Sequence, residues 1–446
     1  MKSNSLSALV TRRNVALVLF VSGLLAFHTQ LLFTLPIPFP ITLVTFAALA
    51  MLYADRLEKK DVQFIFLSIG AVCLMSGLQL MTGGSRDIVG SSIYLIISII
   101  TAIGVVLTLR AWPRAFTARL FIICALLLVG YALLEAYIPP FKTLSDAFRN
   151  WNFAGQMYAN DARDMLLHGG VRPKVFAREP SHVGKNFVMA STAWLLLTTY
   201  QRKLAVFGGL FVAGFLFIES PMIVIMLLIG ACYVIFDPER RYRDKAYRVV
   251  RVTLACTFPL AIPIVLLAAS SLPLPERFDR LLSGQDASMM VRITGPIQAV
   301  PVLLENNPMF GVGFGADEDL SREVLFPFYV ELGLPPNAIE HKADNLLHNA
   351  IAEFIVGVGV IGSILFGVVI ARYVVSATAG SVLFFSVVFL SFCMFLGGFN
   401  TIRVWLWFYL LLGVLSVVRS TNIEAQRSTP APRAATSGSR AARTAL

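Results

Sequence analysis

His348 is the residue of this chain best placed to move a proton. It stands in DNLLHNAIAEFIVGVGVIGSILF (Asp344 to Phe366), where a long polar segment gives way to an apolar run. A histidine at such a boundary titrates near neutral pH and can accept the proton of an attacking hydroxyl. Chemistry alone favours a plainer reading, in which the ring only caps or hydrogen-bonds the start of a helix. Upstream in the same segment comes RITGPIQAVPVLLENNPMFGVGFG (Arg292 to Gly315), an arginine followed by a glycine-rich loop. A second basic cluster, VRPKVFAREPSHVGKNF (Val171 to Phe187), crowds Arg172, Lys174, Arg178, His182 and Lys185 beside another apolar run. Two such clusters suggest an anionic substrate, because the planar guanidinium fork grips a phosphate with paired hydrogen bonds and stays charged when desolvated. Arginines that snorkel to lipid phosphates would give the same composition. His341 and His348 could share a helix face as metal ligands, but no third ligand clusters with them and no metal site is expected.

The elements that must position these residues are membrane spans. The 446 residues are 57% hydrophobic and 14% charged, with a mean hydropathy of +0.74, which excludes a soluble core and indicates a polytopic membrane protein. The net charge of +11 would raise nucleic acid as a partner in a soluble protein. Here the basic residues fall in short loops between apolar runs, where orientation and anionic lipid headgroups account for them. Cys73, Cys124, Cys232, Cys256 and Cys393 all lie inside apolar stretches without pairing or ligand spacing, so neither disulfides nor zinc are implied. Arg12 and Arg13 precede an apolar run with no small-residue cleavage site, which reads as a first retained span.

The apolar runs predict an all-α fold of about twelve transmembrane helices, near 14–35, 37–53, 62–82, 88–109, 118–138, 185–200, 204–219, 221–236, 250–271, 350–371, 379–399 and 401–418. The stretch 204–236 is too long for one crossing of about 30 Å, and Glu219, Ser220 and Pro221 divide it. With both termini cytoplasmic, every short loop obeys the positive-inside rule. Two long extracytoplasmic loops, about 139–184 and 272–349, then fall on one outer face, where they can meet over a single site. The membrane domain covers 1–419. The stretch 420–446, rich in Ser, Thr, Ala, Pro and Arg, reads as a disordered basic cytoplasmic tail. Apolar periodicity over 293–304 predicts a short amphipathic helix, stopped by NNP. The chain has no P-loop, dinucleotide fingerprint or metalloprotease motif, so work at the outer face would draw its free energy from the substrate or a gradient.

NPMFGVGFG, followed some thirty residues later by HNAIAEFIVGVGVIG, resembles the signature of the O-antigen ligase and polymerase superfamily. SMMVR, which carries Arg292, is similar to that family's arginine-bearing helix. FAREPS resembles the EPS element of exopolysaccharide polymerases, with Arg172 seven residues before Glu179 at the place of the family's first arginine. The family often has a glycine where this chain has Val175, and Arg178, directly before Glu179, competes with Arg172 for the same role.

The resemblance implies a membrane-embedded glycosyltransferase acting on glycans carried by a polyprenyl pyrophosphate, at the periplasmic side of a bacterial inner membrane. The pyrophosphate is activating group and anchor at once, so no cofactor, metal or ATP is implied. His348 would be the base, Arg292 and Arg172 would hold the pyrophosphate, and Arg178 is the reserve arginine. Gly311, Gly313 and Gly315 would let backbone approach the substrate, and Asn349 would orient His348. The EPS element favours a polymerase that joins one lipid-linked oligosaccharide to another, with membrane lipids and a chain-length regulator as partners. A ligase that transfers glycan to lipid A core is the nearest alternative, and a lipid-linked-oligosaccharide flippase is the alternative from another class. A transporter should carry ionisable groups within its helices, and His28, Glu135 and Glu219 are the few that qualify.

Overall fold

The computed structural model describes residues 3–33, 39–81, 88–153, 171–236, 238, 292, 295–305, 307–314, 321–331, 347–378 and 381–428. The expected span at 250–271, Gly315 and His341 lie outside these residues. The described chain is helical apart from one antiparallel pair, β1 (Leu32–Phe33) with β2 (Phe39–Pro40), which pairs Leu32 with Pro40 and Phe33 with Phe39. In chain order the helices are α1 (Ser3–Thr29), α2 (Ile41–Leu52), α3 (Lys59–Met81), α4 (Ile88–Ala111), α5 (Arg114–Tyr137), α6 (Pro139–Phe153), α7 (Pro180–Leu197), α8 (Lys203–Phe217) and α9 (Ile225–Phe236). They continue with α10 (Gly295–Leu304), α11 (Phe326–Glu331), α12 (Ala350–Thr378), α13 (Val382–Cys393) and α14 (Ile402–Ser428).

Five of these are long and apolar enough to cross a membrane: α3, α4, α5, α12 and the Ile402–Thr421 part of α14. Each coincides with an apolar run of the sequence, and the protein is a membrane protein. α2 and α13 have 12 residues each, so each is about 18 Å long against a hydrocarbon core of about 30 Å. Phe66, Ile123, Phe215 and Ile364 stand exposed on the bundle surface, which suits lipid rather than water. α4 and α14 form the interior of the bundle; α3, α5 and α12 keep most of their apolar surface outward. α2 crosses α4 with backbones nearly touching, since a Cβ on Gly104 would lie 2.9 Å from the amide nitrogen of Ala50. The expected division of 204–236 is present: α8 ends at Phe217, Glu219 takes a left-handed turn (φ 53°), and Pro221 opens a short 3₁₀ turn into α9. α14 runs through to Ser428, so helix continues into the first residues of the stretch read as a disordered tail.

The two ends of the bundle differ in chemistry. At one end, the buried carboxylate of Asp61 (α3) accepts hydrogen bonds from Arg110 of α4 (2.5 Å) and from the Tyr373 hydroxyl of α12 (2.7 Å). Glu58 joins Arg110 at 3.3 Å, Arg12 pairs with Asp55, and Arg114 donates to the carbonyl of Leu197 at 2.6 Å. This is the end that carries the short basic loops. Following α1, α3, α4, α5, α7, α12 and α14 from there brings both long polar segments to the opposite end.

α12 is not one continuous helix. At Gly359 the backbone leaves helical geometry (φ 64°, ψ −168°), a region open essentially to glycine alone. A break inside a span frees carbonyls below it and amides above it, and lipid satisfies neither. The segment Pro308–Gly313 fills the gap. Val312 and Gly313 donate to the carbonyls of Val356 and Gly357, both at 3.0 Å, and the amides of Val360 and Ile361 donate to Pro308 and Met309, again at 3.0 Å. Gln79 of α3 braces the joint by donating to the carbonyls of Phe310 (2.8 Å) and Gly357.

Candidate functional site

The first polar segment begins with the amphipathic α6. Between α6 and α7 the loop 171–179 is held from four sides. The Glu135 carboxylate accepts the amides of Lys174 (3.0 Å) and Val175 (2.5 Å), and the Ser145 hydroxyl accepts the amide of Phe176 at 3.1 Å. Arg149, buried in α6, donates to the carbonyl of Ala177 at 3.0 Å, and His28 of α1 bonds the carbonyl of Val175 at 2.7 Å. Val175 and Phe176 take left-handed backbone (φ 44° and 62°) to make the turn. These bonds deliver Arg178 and Glu179 to the N-terminus of α7, where Glu179 stands at the N-cap position without a side-chain capping bond, its carboxylate accepting from the Ser181 hydroxyl at 3.1 Å, and Pro180 occupies the first helical position. Arg172 is buried at the start of the same loop.

The second polar segment folds over the first half of α12. Ala299 and Leu303 of α10, Leu325, Tyr329 of α11 and Leu347 build a small apolar core with Ala352 and Val356, and α10 is the amphipathic helix expected over 293–304. His348 sits at the centre of a tight turn, with the Asn349 amide bonded to the carbonyl of Leu347 at 3.0 Å. Asn349 then caps α12: its Oδ1 accepts the amides of Ile351 (3.0 Å) and Ala352 (3.1 Å). Its Nδ2 donates to the carbonyl of Arg292 at 2.7 Å. Asn349 therefore ties the Arg292 backbone to the start of α12. The His348 ring lies against Gly397, where an added Cβ would stand 2.5 Å from its Nδ1 and 3.1 Å from the Glu353 carboxylate. Glu353 in turn accepts the amides of Gly398 and Phe399.

Electrostatics tie the two segments together. Burial alone would raise the Glu179 carboxyl, but the charges of Lys185, Arg292 and Arg178 and the hydroxyl of Ser181 bring it below its ordinary value. The charges that act on His182 are those of Lys185, Arg403, His348 and His28. Arg178 and Glu179 also act on Arg403, in the first turn of α14. One cluster therefore gathers Arg178, Glu179, His182 and Lys185 from the first segment, Arg292 and His348 from the second, and Arg403 from a helix outside both. Beside it opens a small, half-open cleft lined by Gln30, His182, Lys185, Asn186, Arg403 and apolar side chains including Phe27 and Trp407.

Two sequence expectations change. Gly311 and Gly313 do allow close backbone approach, but what they approach is protein: a Cβ on Gly311 would lie 2.5 Å from the Gly359 nitrogen, and one on Gly313 would lie 2.6 Å from Ile88. Their space is already filled by α12 and α4. Arg403 belongs to the cluster although nothing in the sequence motifs marks it. Its only signal is a lone charge inside an otherwise apolar run, the pattern that marks function within a span. Among the described residues no three His, Cys, Asp or Glu side chains come together as metal ligands. No protein-family model matches the chain, and neither the curated proteins nor the solved structures give a match.

Proposed function

We propose that this chain is a glycosyltransferase of the O-antigen ligase and polymerase type, which polymerises polyprenyl-pyrophosphate-linked oligosaccharide units into a cell-surface polysaccharide. In this reading about twelve spans place the cluster at the periplasmic face of a bacterial inner membrane, with both termini cytoplasmic. The observation that carries it is the meeting of Arg292 and Arg178, from segments far apart in sequence, on one carboxylate beside His182 and His348. Glu179 offsets part of that positive charge and leaves an excess suited to a pyrophosphate.

The chemistry balances without a nucleotide. The acceptor hydroxyl oxygen attacks the anomeric carbon from the face opposite the pyrophosphate, a new carbon–oxygen bond forms, and the bond to the leaving phosphate oxygen breaks with inversion. His348 takes the hydroxyl proton. Arg292 stabilises the charge that grows on the leaving group, in the manner of a preorganised donor. Of the two candidates for the second arginine, Arg178 is supported by its charge neighbours; Arg172 is buried at the start of the loop. A flippase is disfavoured because His28 and Glu135, two of the ionisable groups a transporter would use, are spent on the backbone of 174–175.

Arg292→Lys tests the reading. Lysine keeps the charge and the capacity to snorkel but offers no planar fork. Losing one well-placed donor to developing charge costs about 10²–10³ in rate, so polymer should nearly vanish at normal membrane abundance while single units accumulate. Polymer near the wild-type level would make Arg292 a lipid anchor and move the phosphate site to the Arg172/Arg178 loop.

A further inference from the structure

The space beside the cluster has an unusual electrical wall. Its neutral polar residues are already partnered: Gln30 bonds the His182 ring, and Asn186 bonds His28 Nδ1 at 2.8 Å. Its two cations are not. Lys185 is 9% exposed, faces the space, and forms no hydrogen bond or ion pair with any described residue; the same holds for Arg403. The charges acting on Lys185 are first Arg292 and Arg403, both repulsive, and only then Glu179. Arg403 also sits in the first turn of α14, where the helix dipole disfavours a cation. Lys185 is buried and Arg403 half-buried; the charges of Glu179, Tyr94 and Glu353 offset part of the repulsion without bonding either cation, so a further negative group between the two would be stabilising.

We propose that Lys185 and Arg403 form a binding site for a phosphate-class anion in the space between α1, α7, α13 and α14. The His182 ring and the side chains of Gln30 and Asn186 border the same space and can complete the hydrogen bonding of phosphate oxygens. The anion is either the pyrophosphate of a lipid-linked saccharide or the phosphate of an ordinary phospholipid headgroup, since both offer the same oxygens to the two cations. This deepens the proposed function, but the site does not depend on glycosyl transfer.

The test uses the full chain in phosphatidylcholine nanodiscs, with inorganic pyrophosphate as the probe and thermal unfolding and calorimetry as readouts. Pyrophosphate should stabilise the wild type. Lys185→Met and Arg403→Met, which keep an unbranched stem and drop the charge, should each weaken its binding about 10–100-fold, the cost of losing a charged partner. Arg119→Gln, an exposed cation outside the cluster, should bind as the wild type does. Without anion, each Met variant should melt above the wild type, because a repulsion has been removed. Nanodiscs rich in phosphatidylglycerol identify the source: weaker pyrophosphate binding there means the headgroup occupies the site, and unchanged binding means it prefers the pyrophosphate. Absence of pyrophosphate binding by the wild type, equal binding by all variants, or failure of both Met variants to accumulate would overturn the proposal. Intact pyrophosphate binding in a chain that makes no polymer would sink the proposed function and leave this site standing.

Discussion

Gly311 and Gly359 occupy each other's side-chain space. A Cβ on Gly311 would lie 2.5 Å from the Gly359 nitrogen, and a Cβ on Gly359 would lie 2.6 Å from the carbonyl oxygen of Met309 and press on the Gly311 amide. Both residues have positive φ, 71° and 64°. The contact locks the loop Pro308–Gly313 into the break of α12 and so sets where His348 and Arg292 stand relative to the bundle.

Gly311→Ala and Gly359→Ala should therefore each destabilise the protein by about 2–5 kcal/mol, the left-handed penalty plus a clash that neither backbone can relieve. Gly367→Ala is the comparison, because a Cβ there meets nothing within 4 Å. Thermal unfolding in detergent should separate the first two from the third. Equal melting of all three would mean that the break in α12 is not a fixed feature.

Asn349 has two separable tasks. Aspartate retains the oxygen that caps α12 but loses the amide that donates to the Arg292 carbonyl. Asn349→Asp should keep the cap, since the two residues cap about equally well, whereas Asn349→Ala should cost about 1 kcal/mol. Turnover in Asn349→Asp should nevertheless fall by up to about 10², the cost of a small misplacement of a catalytic group. Wild-type turnover in a stable Asn349→Asp would show that the tie to Arg292 does not matter for the reaction.

The depressed Glu179 carboxyl makes stability depend on acid. A carboxyl whose folded value lies below its ordinary value of about 4.3 contributes fully above that value and loses its contribution as pH falls through the folded one. Melting temperatures should accordingly drop less on acidification in Glu179→Gln than in the wild type, and at neutral pH the variant should be the less stable, with Arg178, Lys185 and Arg292 left less neutralised. Parallel acid curves for the two proteins would remove Glu179 from the cluster's charge balance.

The spans were legible where apolar runs were long. α3, α4, α5, α12 and α14 fall on runs of the sequence, and Glu219 to Pro221 announced the division of α8 from α9. Hydropathy does not register backbone, so the run 350–371 read as one span although Gly359 breaks it and a loop some fifty residues upstream fills the break. The same blindness made Gly311 and Gly313 look as if they faced a ligand when they face helices. Residue type disclosed His348 and Arg292, but Arg403 was hidden by its apolar neighbours and Lys185 by its place at the start of a span. Only folding brings those two to one space.

In the proposed mechanism His348 accepts the acceptor's proton, and polymerisation in a reconstituted membrane reads that step. Purified wild type and His348→Ala, reconstituted at equal amounts into liposomes with a polyprenyl-pyrophosphate-linked repeat unit, should differ in polymerisation rate by about 10²–10⁴, the usual contribution of a general base, while the variant folds and inserts normally. If the alanine variant polymerises at the wild-type rate, or fails to accumulate in the membrane at all, His348 serves the start of α12 rather than the reaction.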